Sequence, residues 1–450
     1  MTSCGEVAGK ASASGGRVAR TFGVGICIAV AAALVSPRTI PYTMAALAAA
    51  LIAVAAIQHE FDVFRPALGW VEFAIFGFIA YSAVSAAWAF RPSGAVVPVI
   101  TAALCFTGYL IAAKAISSGC RLTAQRMAEG LWLGLFIGVI YLGIEIFTHQ
   151  AIKLALLREL HIPKSWLRPP KNYIWSNGQL VGVAAVDLTR NIAPISLLFW
   201  PALLALRRTA EKRAVPILSA LLIICVAVVV VASEHETSKV ALPFSALIFV
   251  ISRMNASRSG RLLQIAWIAA CLVVIPCTMA LHRLDLQHSP WFQMSFRHRI
   301  VIWNHTAEET LKSPIFGIGA GMMYQLDPAG EKQLPEDPFP SVAPHAHNVY
   351  LQTWFELGAI GAALLALVGL AILERIRFLD DRHGPYAQAT FASVMVMISS
   401  SYGMWQPWFM AMVAMCALMI TIAILIQEDR NGDEKLRQRR HPKVRFRVRG

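Results

Sequence analysis

The stretch Val349-Tyr-Leu-Gln-Thr-Trp-Phe-Glu-Leu-Gly-Ala-Ile-Gly-Ala-Ala-Leu-Leu-Ala-Leu-Val-Gly-Leu-Ala-Ile-Leu373 contains a single charged side chain, Glu356. A helix needs about 20 apolar residues to cross a hydrocarbon core of roughly 30 Å, so this stretch predicts a membrane-spanning helix. His347 and Asn348 precede it directly. A side chain that titrates near neutral pH is therefore expected where a span meets water.

The whole chain repeats this pattern of long apolar runs. It has 450 residues, of which 57% are apolar and 15% are charged, and its mean hydropathy is +0.57. Charged residues fall in short clusters between the runs, which is typical of proteins that cross a membrane many times. We predict an all-α, polytopic membrane protein with about twelve transmembrane helices. The apolar runs have the approximate limits 21–36, 40–57, 68–89, 94–113, 128–147, 192–206, 214–232, 239–252, 262–281, 349–373, 386–402 and 407–426.

The distribution of Lys and Arg predicts the orientation of these spans. Most of the 40 basic residues lie on one side of the membrane if the N-terminus is cytoplasmic, as expected when positively charged loops stay inside. The first run could instead be a cleaved secretory signal, but a second run follows almost at once, which favours an uncleaved helix. The predicted divisions are a cytoplasmic N-terminus (1–20), spans 1–5 (21–147), a periplasmic loop (148–191), spans 6–9 (192–282), a large periplasmic loop (283–348), spans 10–12 (349–426) and a basic cytoplasmic tail (427–450).

The net charge of +14 does not by itself indicate a nucleic-acid partner. About a third of it belongs to the basic tail, whose position favours contact with the anionic inner leaflet over a nucleic-acid arm. The eight cysteines form no CxxC pair and most lie within apolar runs, so neither a disulfide framework nor a structural zinc site is predicted.

The first long loop carries apolar residues from 151 to 160, interspersed with Lys153 and Arg158. This pattern predicts an amphipathic helix, which either lies on the outer leaflet or packs on the bundle as a lid. The loop ends by placing Arg190 at the start of the sixth span. Long loops between packed helices are a common place for functional residues, so Arg190 is a candidate site residue.

The second long loop carries Arg297, Arg299 and Trp303 in an amphipathic stretch, and then a glycine run from 317 to 321. The glycine run lacks the preceding strand, the lysine and the hydroxyl of a phosphate-binding P-loop. A helix stop followed by a turn is the favoured interpretation.

Arg190, Arg297 and Arg299 are all predicted to face the same side of the membrane as His347. Guanidinium groups are permanently charged and bind phosphate oxygens in pairs, so this pattern indicates an anionic, phosphorylated, lipid-linked ligand. His347 could accept a proton from an attacking hydroxyl. The competing interpretation is that the arginines only reach toward lipid headgroups and that the histidine has no catalytic role.

The motif His347-Asn348-x9-Gly358-x-x-Gly361, with Arg299-x-x-x-Trp303 and the glycine run before it, resembles the O-antigen ligase and O-antigen polymerase superfamily. The resemblance covers roughly residues 185–425. It implies a membrane glycosyltransferase of GT-C-like architecture that uses a polyprenyl diphosphate-linked glycan.

The resemblance also implies roles for individual residues. Arg190 and Arg299 would bind the diphosphate, and His347 would orient or deprotonate the acceptor hydroxyl, so that the anomeric carbon is inverted without a metal or another cofactor. The favoured form is the ligase, which transfers the glycan from undecaprenyl diphosphate to a lipid A-core sugar at the periplasmic face. The further substrate-binding candidates are Arg297, Asn348, Lys239, Trp303 and Tyr350.

Three alternatives stay open at this point. A polymerase of the same superfamily would use a second lipid-linked glycan as acceptor, and a protein O-oligosaccharyltransferase would use a protein. A transporter or lipid flippase would catalyse no transfer, but such proteins usually place ionisable residues near the membrane midplane. One departure from the family pattern is Lys239, which stands where members often have an arginine, after Glu234-His235-Glu236. These three residues either contact sugar hydroxyls or a divalent ion, or form only a polar turn.

Overall fold

The computed structural model describes residues 3–57, 68–118, 121–163, 167, 172–326 and 342–440, and it confirms the all-α class. Eleven helices in these ranges are long and apolar enough to cross a membrane. The predicted run 386–402 forms a shorter helix of 17 residues. The helices are α1 Ser3–Val35, α2 Ile40–Ile57, α3 Trp70–Val84, α4 Pro92–Ser118, α5 Arg121–Phe147, α6 Ala151–Glu159, α7 Thr189–Thr209, α8 Val215–Ala232, α9 Glu236–Met254, α10 Ala256–Arg283, α11 Met294–Thr310, α12 Met322–Leu326, α13 Val349–Arg377, α14 Gly384–Ser400 and α15 Pro407–Arg440.

A two-stranded antiparallel hairpin interrupts the helical pattern in the first long loop. Its strands are β1 Tyr173–Ser176 and β2 Gln179–Val183, and Tyr173 pairs with Val183. The hairpin follows α6, which lies in the stretch predicted to form an amphipathic helix. Arg158 of α6 donates a hydrogen bond from Nε to the Leu180 carbonyl at 2.7 Å. This contact joins α6 to the hairpin, so the two elements form one unit above the entrance to α7.

The centre of the bundle is α7, whose residues from Asn191 to Leu206 are all buried. Trp200 stacks on Phe249 of α9 with ring centroids 4.7 Å apart, and its Nε1 donates to Ser245 Oγ at 2.9 Å. By contrast, few residues of α3 and α8 are buried within the bundle. A helix that is apolar on all sides is stable in this position only against lipid, so these helices form the membrane-facing surface. Arg190 therefore sits at the end of the most deeply packed helix.

The glycine run in the second long loop docks against a break in α13. Gly358 has a φ of +64°, and the helix is interrupted there. The backbone N–H groups of Ile318 and Gly319 donate to the Phe355 and Glu356 carbonyls at 3.2 and 2.8 Å. The Ala359 N–H donates in return to the Pro314 carbonyl at 2.8 Å. The glycine run therefore forms a strap across the broken helix. It is not the stop that ends α11, because α11 already ends at Thr310.

The carboxylate of Glu356 holds the same strap from inside the bundle. It accepts backbone hydrogen bonds from Gly321 at 2.8 Å and Met323 at 3.1 Å, and a third from Gln352 Nε2 at 3.2 Å. Trp405 Nε1 is a fourth donor. Glu356 is completely buried, and a buried carboxylate is tolerated only when its hydrogen bonds are satisfied. Its position therefore has a structural reason and does not indicate a transport pathway.

We expect Gly358→Ala to destabilise the protein strongly. An added Cβ would lie 2.2 Å from the Ile315 carbonyl oxygen, and the left-handed backbone alone costs an alanine about 1–3 kcal/mol. The measurement is the unfolding temperature of the purified protein, followed by size-exclusion chromatography after heating. The matched control is Gly108→Ala, because an added Cβ there meets no atom within 4 Å. Equal unfolding temperatures for the two variants would contradict the role of Gly358.

Candidate active site

His347 lies in the loop that leads into α13, and its side chain is held by the turn between α14 and α15. Its φ of +54° places it in the left-handed region, which a histidine adopts only under local constraint. Nδ1 lies 2.8 Å from the Ser401 carbonyl oxygen. Because a carbonyl can only accept, Nδ1 carries the proton and Nε2 has the free lone pair in the neutral ring. Nε2 is therefore the atom that can accept a proton.

A second histidine, His345, lies directly against His347. Their ring centroids are 4.0 Å apart, and the His347 backbone N–H donates to His345 Nδ1 at 3.3 Å. Burial, followed by Arg190 and Arg299, lowers the pKa of His345 to about 4. Burial, His345 and Arg299 likewise lower the pKa of His347 well below its usual value. Both imidazoles are consequently neutral at pH 7.

The structure places the three predicted catalytic residues in one neighbourhood. The charge of Arg299 acts on both histidines, and that of Arg190 acts on His345. Arg190 also reaches the turn that holds His347, because the Trp408 ring beneath it packs on Tyr402, 4.6 Å between ring centroids, and Tyr402 follows Ser401. Arg299 is half-buried on α11, and burial lowers the pKa of its guanidinium. Arg190 stacks over the Trp408 ring at 5.7 Å. The site therefore combines two guanidinium groups with two neutral imidazoles, which is a pairing suited to an anionic ligand and a proton acceptor.

Tyr402 and His235 also belong to this site. The sequence analysis left open whether His235 contacts a substrate or forms only a polar turn, and it did not consider Tyr402. Tyr402 lies in the turn after α14, and its hydroxyl is 3.2 Å from His235 Nε2. The two rings are stacked with a centroid separation of 6.0 Å. Both arginines act electrostatically on Tyr402, whose pKa is raised mainly by burial. The predicted topology could have indicated this turn, because it places the connection between the last two spans on the same side as His347.

Arg38 is another cation that the sequence analysis left outside the site. It lies in the short helical turn before α2, and its charge acts on Arg190. Its side chain is exposed. The only signal in the sequence was its position in an outside loop, which gave no reason to group it with Arg190.

A cavity of about 430 Å³ lies between α9, α10, α11, α13 and α14. Its walls along α10 are apolar and include Val273, Val274 and Leu281. Its polar residues come from the helix ends and the second long loop, and they include Glu236, Ser295, Arg299, Asn348 and Ser400. The cavity is thus apolar within the bundle and polar at the end that carries Arg299 and Asn348. His347 adjoins this end as the residue before Asn348, but of the described residues neither the two histidines nor Arg190 line the cavity.

Three of the predicted substrate-binding residues line this cavity. Asn348 caps α13 by accepting a hydrogen bond from the Leu351 N–H at 3.0 Å. Trp303 donates from Nε1 to the Ala346 carbonyl at 2.7 Å and so fixes the loop before His347. The Tyr350 hydroxyl is buried without a hydrogen-bond partner. Asn348 and Trp303 therefore stabilise the local backbone. The Tyr350 hydroxyl makes no such contact among the described residues.

The other two predicted substrate-binding residues do not line the cavity. Arg297 donates from Nε to the Gln287 carbonyl at 2.6 Å, so part of its guanidinium is used to hold the start of α11. Lys239 forms an ion pair with Glu236 at 2.8 Å, one turn away on α9. Glu236 does line the cavity. Lys239 is therefore connected to the site through this ion pair.

Comparison with known sequences finds a family match in part of the chain. Residues 200–366 match a sequence model that is described as O-antigen ligase. This segment is similar to the O-antigen ligase family. The segment contains Arg299, His347 and the strap across α13, whereas Arg190 and Tyr402 lie outside it. The resemblance predicted from the motif is thereby confirmed.

The chain is also similar to three rickettsial proteins named "Putative polysaccharide ligase". It is 26% identical to the protein of Rickettsia conorii over 251 residues, which are 52% of this chain and 59% of the relative. It is likewise 26% identical to the proteins of Rickettsia prowazekii and Rickettsia typhi, over 54% of this chain and 59% of each relative. The alignments thus span a little more than half of each protein.

We expect the buried His235 to make the protein less stable in acid. Burial, followed by the charge of Arg299, lowers its pKa to about 3, while an unfolded chain binds a proton near pH 6.5. Protonation therefore favours the unfolded state increasingly as the pH falls below 6.5, and the loss at pH 5 is about 2 kcal/mol. The measurement is the difference in unfolding temperature between pH 7.5 and pH 5.

His235→Gln should reduce this difference, because glutamine retains hydrogen-bonding groups but has no titration in this range. The matched control is His161→Gln, since His161 is exposed in the first long loop. The role of His235 would be contradicted if its variant lost as much stability in acid as the control.

Proposed function

We propose that this protein transfers a glycan from a polyprenyl diphosphate carrier to an acceptor hydroxyl at the periplasmic face of a bacterial inner membrane. The observation that carries the proposal is that Arg299 lines the polar end of an apolar cavity and acts, together with Arg190, on the adjoining His345–His347 pair. A polyprenyl diphosphate has an apolar chain and a doubly charged head. The chain matches the apolar cavity, and the head matches the two arginines.

The apolar part of the cavity would bind the first isoprene units of the carrier. Val273 and Val274 on α10 and Val396 on α14 supply its surface. The lipid diphosphate then meets Arg299 at the polar end, where the guanidinium can donate two parallel hydrogen bonds to phosphate oxygens. Arg190 supplies a second fixed charge. Because two guanidinium groups neutralise the leaving diphosphate, the mechanism that we propose needs no metal ion.

The reaction would be a single displacement at the anomeric carbon. The acceptor hydroxyl donates a hydrogen bond to His347 Nε2 and attacks the carbon from the side opposite the diphosphate. A new bond forms between the anomeric carbon and the acceptor oxygen, while the bond to the diphosphate oxygen breaks with its electron pair. The hydroxyl proton passes to His347, and the carrier leaves as the polyprenyl diphosphate anion. The configuration of the anomeric carbon is inverted.

We further propose that the acceptor is a lipid A-core sugar and the carrier undecaprenyl diphosphate, as in the O-antigen ligase form of the family. The experiment is to delete the gene and separate the lipopolysaccharide on a gel. Core that lacks every O-chain supports the ligase, whereas core with a single repeat indicates a polymerase instead. An unchanged ladder would contradict both.

A further inference from the structure

A second cavity, of about 230 Å³, lies at the same end of the bundle as the candidate active site. It is lined by the end of α5, by the hairpin and the short helical turn before α7, and by the connection between α8 and α9. Its polar lining consists of Glu145, His149, Gln150, Ser233 and Glu234. Its volume is well beyond what a single water molecule needs.

Two residues that line this cavity each carry a buried hydrogen-bond acceptor without a partner in the described part of the chain. Glu145 is completely buried, and its Oε1 accepts from the Tyr141 hydroxyl at 2.7 Å and from the Lys153 N–H at 2.9 Å. Its Oε2 has no partner. Gln150 is 2% exposed, and its Nε2 donates to the Val183 and Ala184 carbonyls at 3.2 and 2.9 Å, which leaves Oε1 without a partner. An unsatisfied buried acceptor costs about 1–3 kcal/mol, so both atoms require a donor.

The chemistry of the lining restricts what the donor can be. Among the residues that the structure describes, no lysine or arginine lines the cavity, and the carboxylates of Glu145 and Glu234 would repel a phosphate. In the described part of the chain, no group of three or more His, Cys, Asp or Glu side chains is arranged to bind a metal ion. A neutral molecule with several hydroxyl groups fits these conditions, because each hydroxyl can donate to an acceptor oxygen.

The connection between α8 and α9 links this cavity to the candidate active site. Ser233 and Glu234 line the second cavity, His235 is buried against Tyr402, and Glu236 lines the first cavity. The lining of the second cavity also includes Leu188, two residues before Arg190. A sugar in the second cavity would therefore lie next to the segments that carry His235 and Arg190.

We infer that the second cavity binds a neutral sugar of the acceptor and presents its hydroxyl to His347. This inference rests on the proposed glycan transfer and adds the location of the acceptor to it. Glu145 and Gln150 would accept hydrogen bonds from hydroxyl groups of the ring, and Glu234, which is exposed at the mouth, would accept another.

The test is the steady-state kinetics of the purified full chain in detergent. Lipid A-core from cells that lack the gene serves as acceptor probe and polyprenyl diphosphate-linked glycan as donor. We expect Glu145→Gln to raise the KM for lipid A-core about tenfold, because a hydrogen bond to a charged group becomes one to a neutral group. The donor KM should stay within twofold of the wild-type value. Glu234→Gln is a second variant with the same expected direction, and its exposed position keeps the test valid if Glu145→Gln fails to fold.

The matched control is Glu129→Gln, which removes a carboxylate from the opposite end of α5, where it pairs with Arg126 at 2.6 Å. It should leave both KM values unchanged. The inference is overturned if the Glu145 and Glu234 variants keep the wild-type acceptor KM, which would mean that the cavity holds only water. A change in donor KM would overturn it as well. The proposed function has a separate criterion, since it fails if the wild-type protein transfers no glycan from the lipid diphosphate.

Discussion

Replacement of His347 by alanine should lower glycan transfer at least a hundredfold while leaving the protein folded in the membrane. In the structure, Nδ1 is engaged with the Ser401 carbonyl and Nε2 is left as the only proton acceptor of the ring. A positioned acid or base contributes about 10²- to 10⁴-fold to a rate, and alanine provides no substitute. The measurement is transfer of labelled glycan by purified protein, together with accumulation of the carrier-linked glycan in cells.

His161→Ala is the control for this change, because it removes an exposed histidine of the first long loop and should retain wild-type activity. The unfolding temperature must be measured alongside activity, since the contact with Ser401 also fastens α13 to the turn after α14. A His347→Ala variant that still transferred at more than a tenth of the wild-type rate would remove this residue from the mechanism.

Replacement of Arg299 by lysine should lower kcat/KM for the lipid-linked donor by about 10- to 100-fold. Lysine keeps the positive charge, but it loses the planar pair of donors that a guanidinium directs at two phosphate oxygens. A hydrogen bond to a charged group contributes about 1.5–3 kcal/mol, which corresponds to this range of rate change. Saturation kinetics with varied donor at fixed acceptor gives the value directly.

The control is Arg283→Lys at the end of α10, where the side chain is exposed and lines neither cavity. The same conservative change should leave kcat/KM within twofold there. If Arg299→Lys also left kcat/KM for the donor within twofold of the wild-type value, the diphosphate would not be bound by this guanidinium. A change in acceptor KM alone would lead to the same conclusion, because it would assign Arg299 to the other substrate.

Much of the site could be predicted from single residues because their positions follow from local rules. Asn348 was expected at the start of a span, and it caps α13 there with its own side chain. Arg190 was expected at a span entrance and lies in the first turn of α7. Such placements depend on residues only a few positions apart, so the sequence alone contains the information.

The histidine and tyrosine partners could not be predicted in the same way. The contact from His347 to Ser401 joins residues 54 positions apart, and that from Tyr402 to His235 joins residues 167 apart. Arg297 shows the reverse case, since the sequence pairs it with Arg299 but the fold turns its Nε to the Gln287 carbonyl. Two residues apart on a helix point in different directions, so only packing decides which of them meets the site.

The glycines of the motif are explained by the packing of two chain segments against each other. Spacing alone placed Gly358 and the glycine run in one motif, without a reason for their association. The structure supplies it, because an added Cβ at Gly317 would lie 2.4 Å from the Glu356 carbonyl carbon and one at Gly358 would lie 2.2 Å from the Ile315 oxygen. The two backbones approach so closely that neither position has room for a side chain.

The sequence by itself determined that this protein is a helical membrane protein. A long apolar run must satisfy its own backbone hydrogen bonds in lipid, and a helix does so from local residues alone. The tertiary structure decided which polar ends of those helices meet. It thereby placed the imidazole pair near the two arginines and formed both cavities. Those contacts depend on the order in which helices pack, which is set by side-chain shape between segments far apart in the chain.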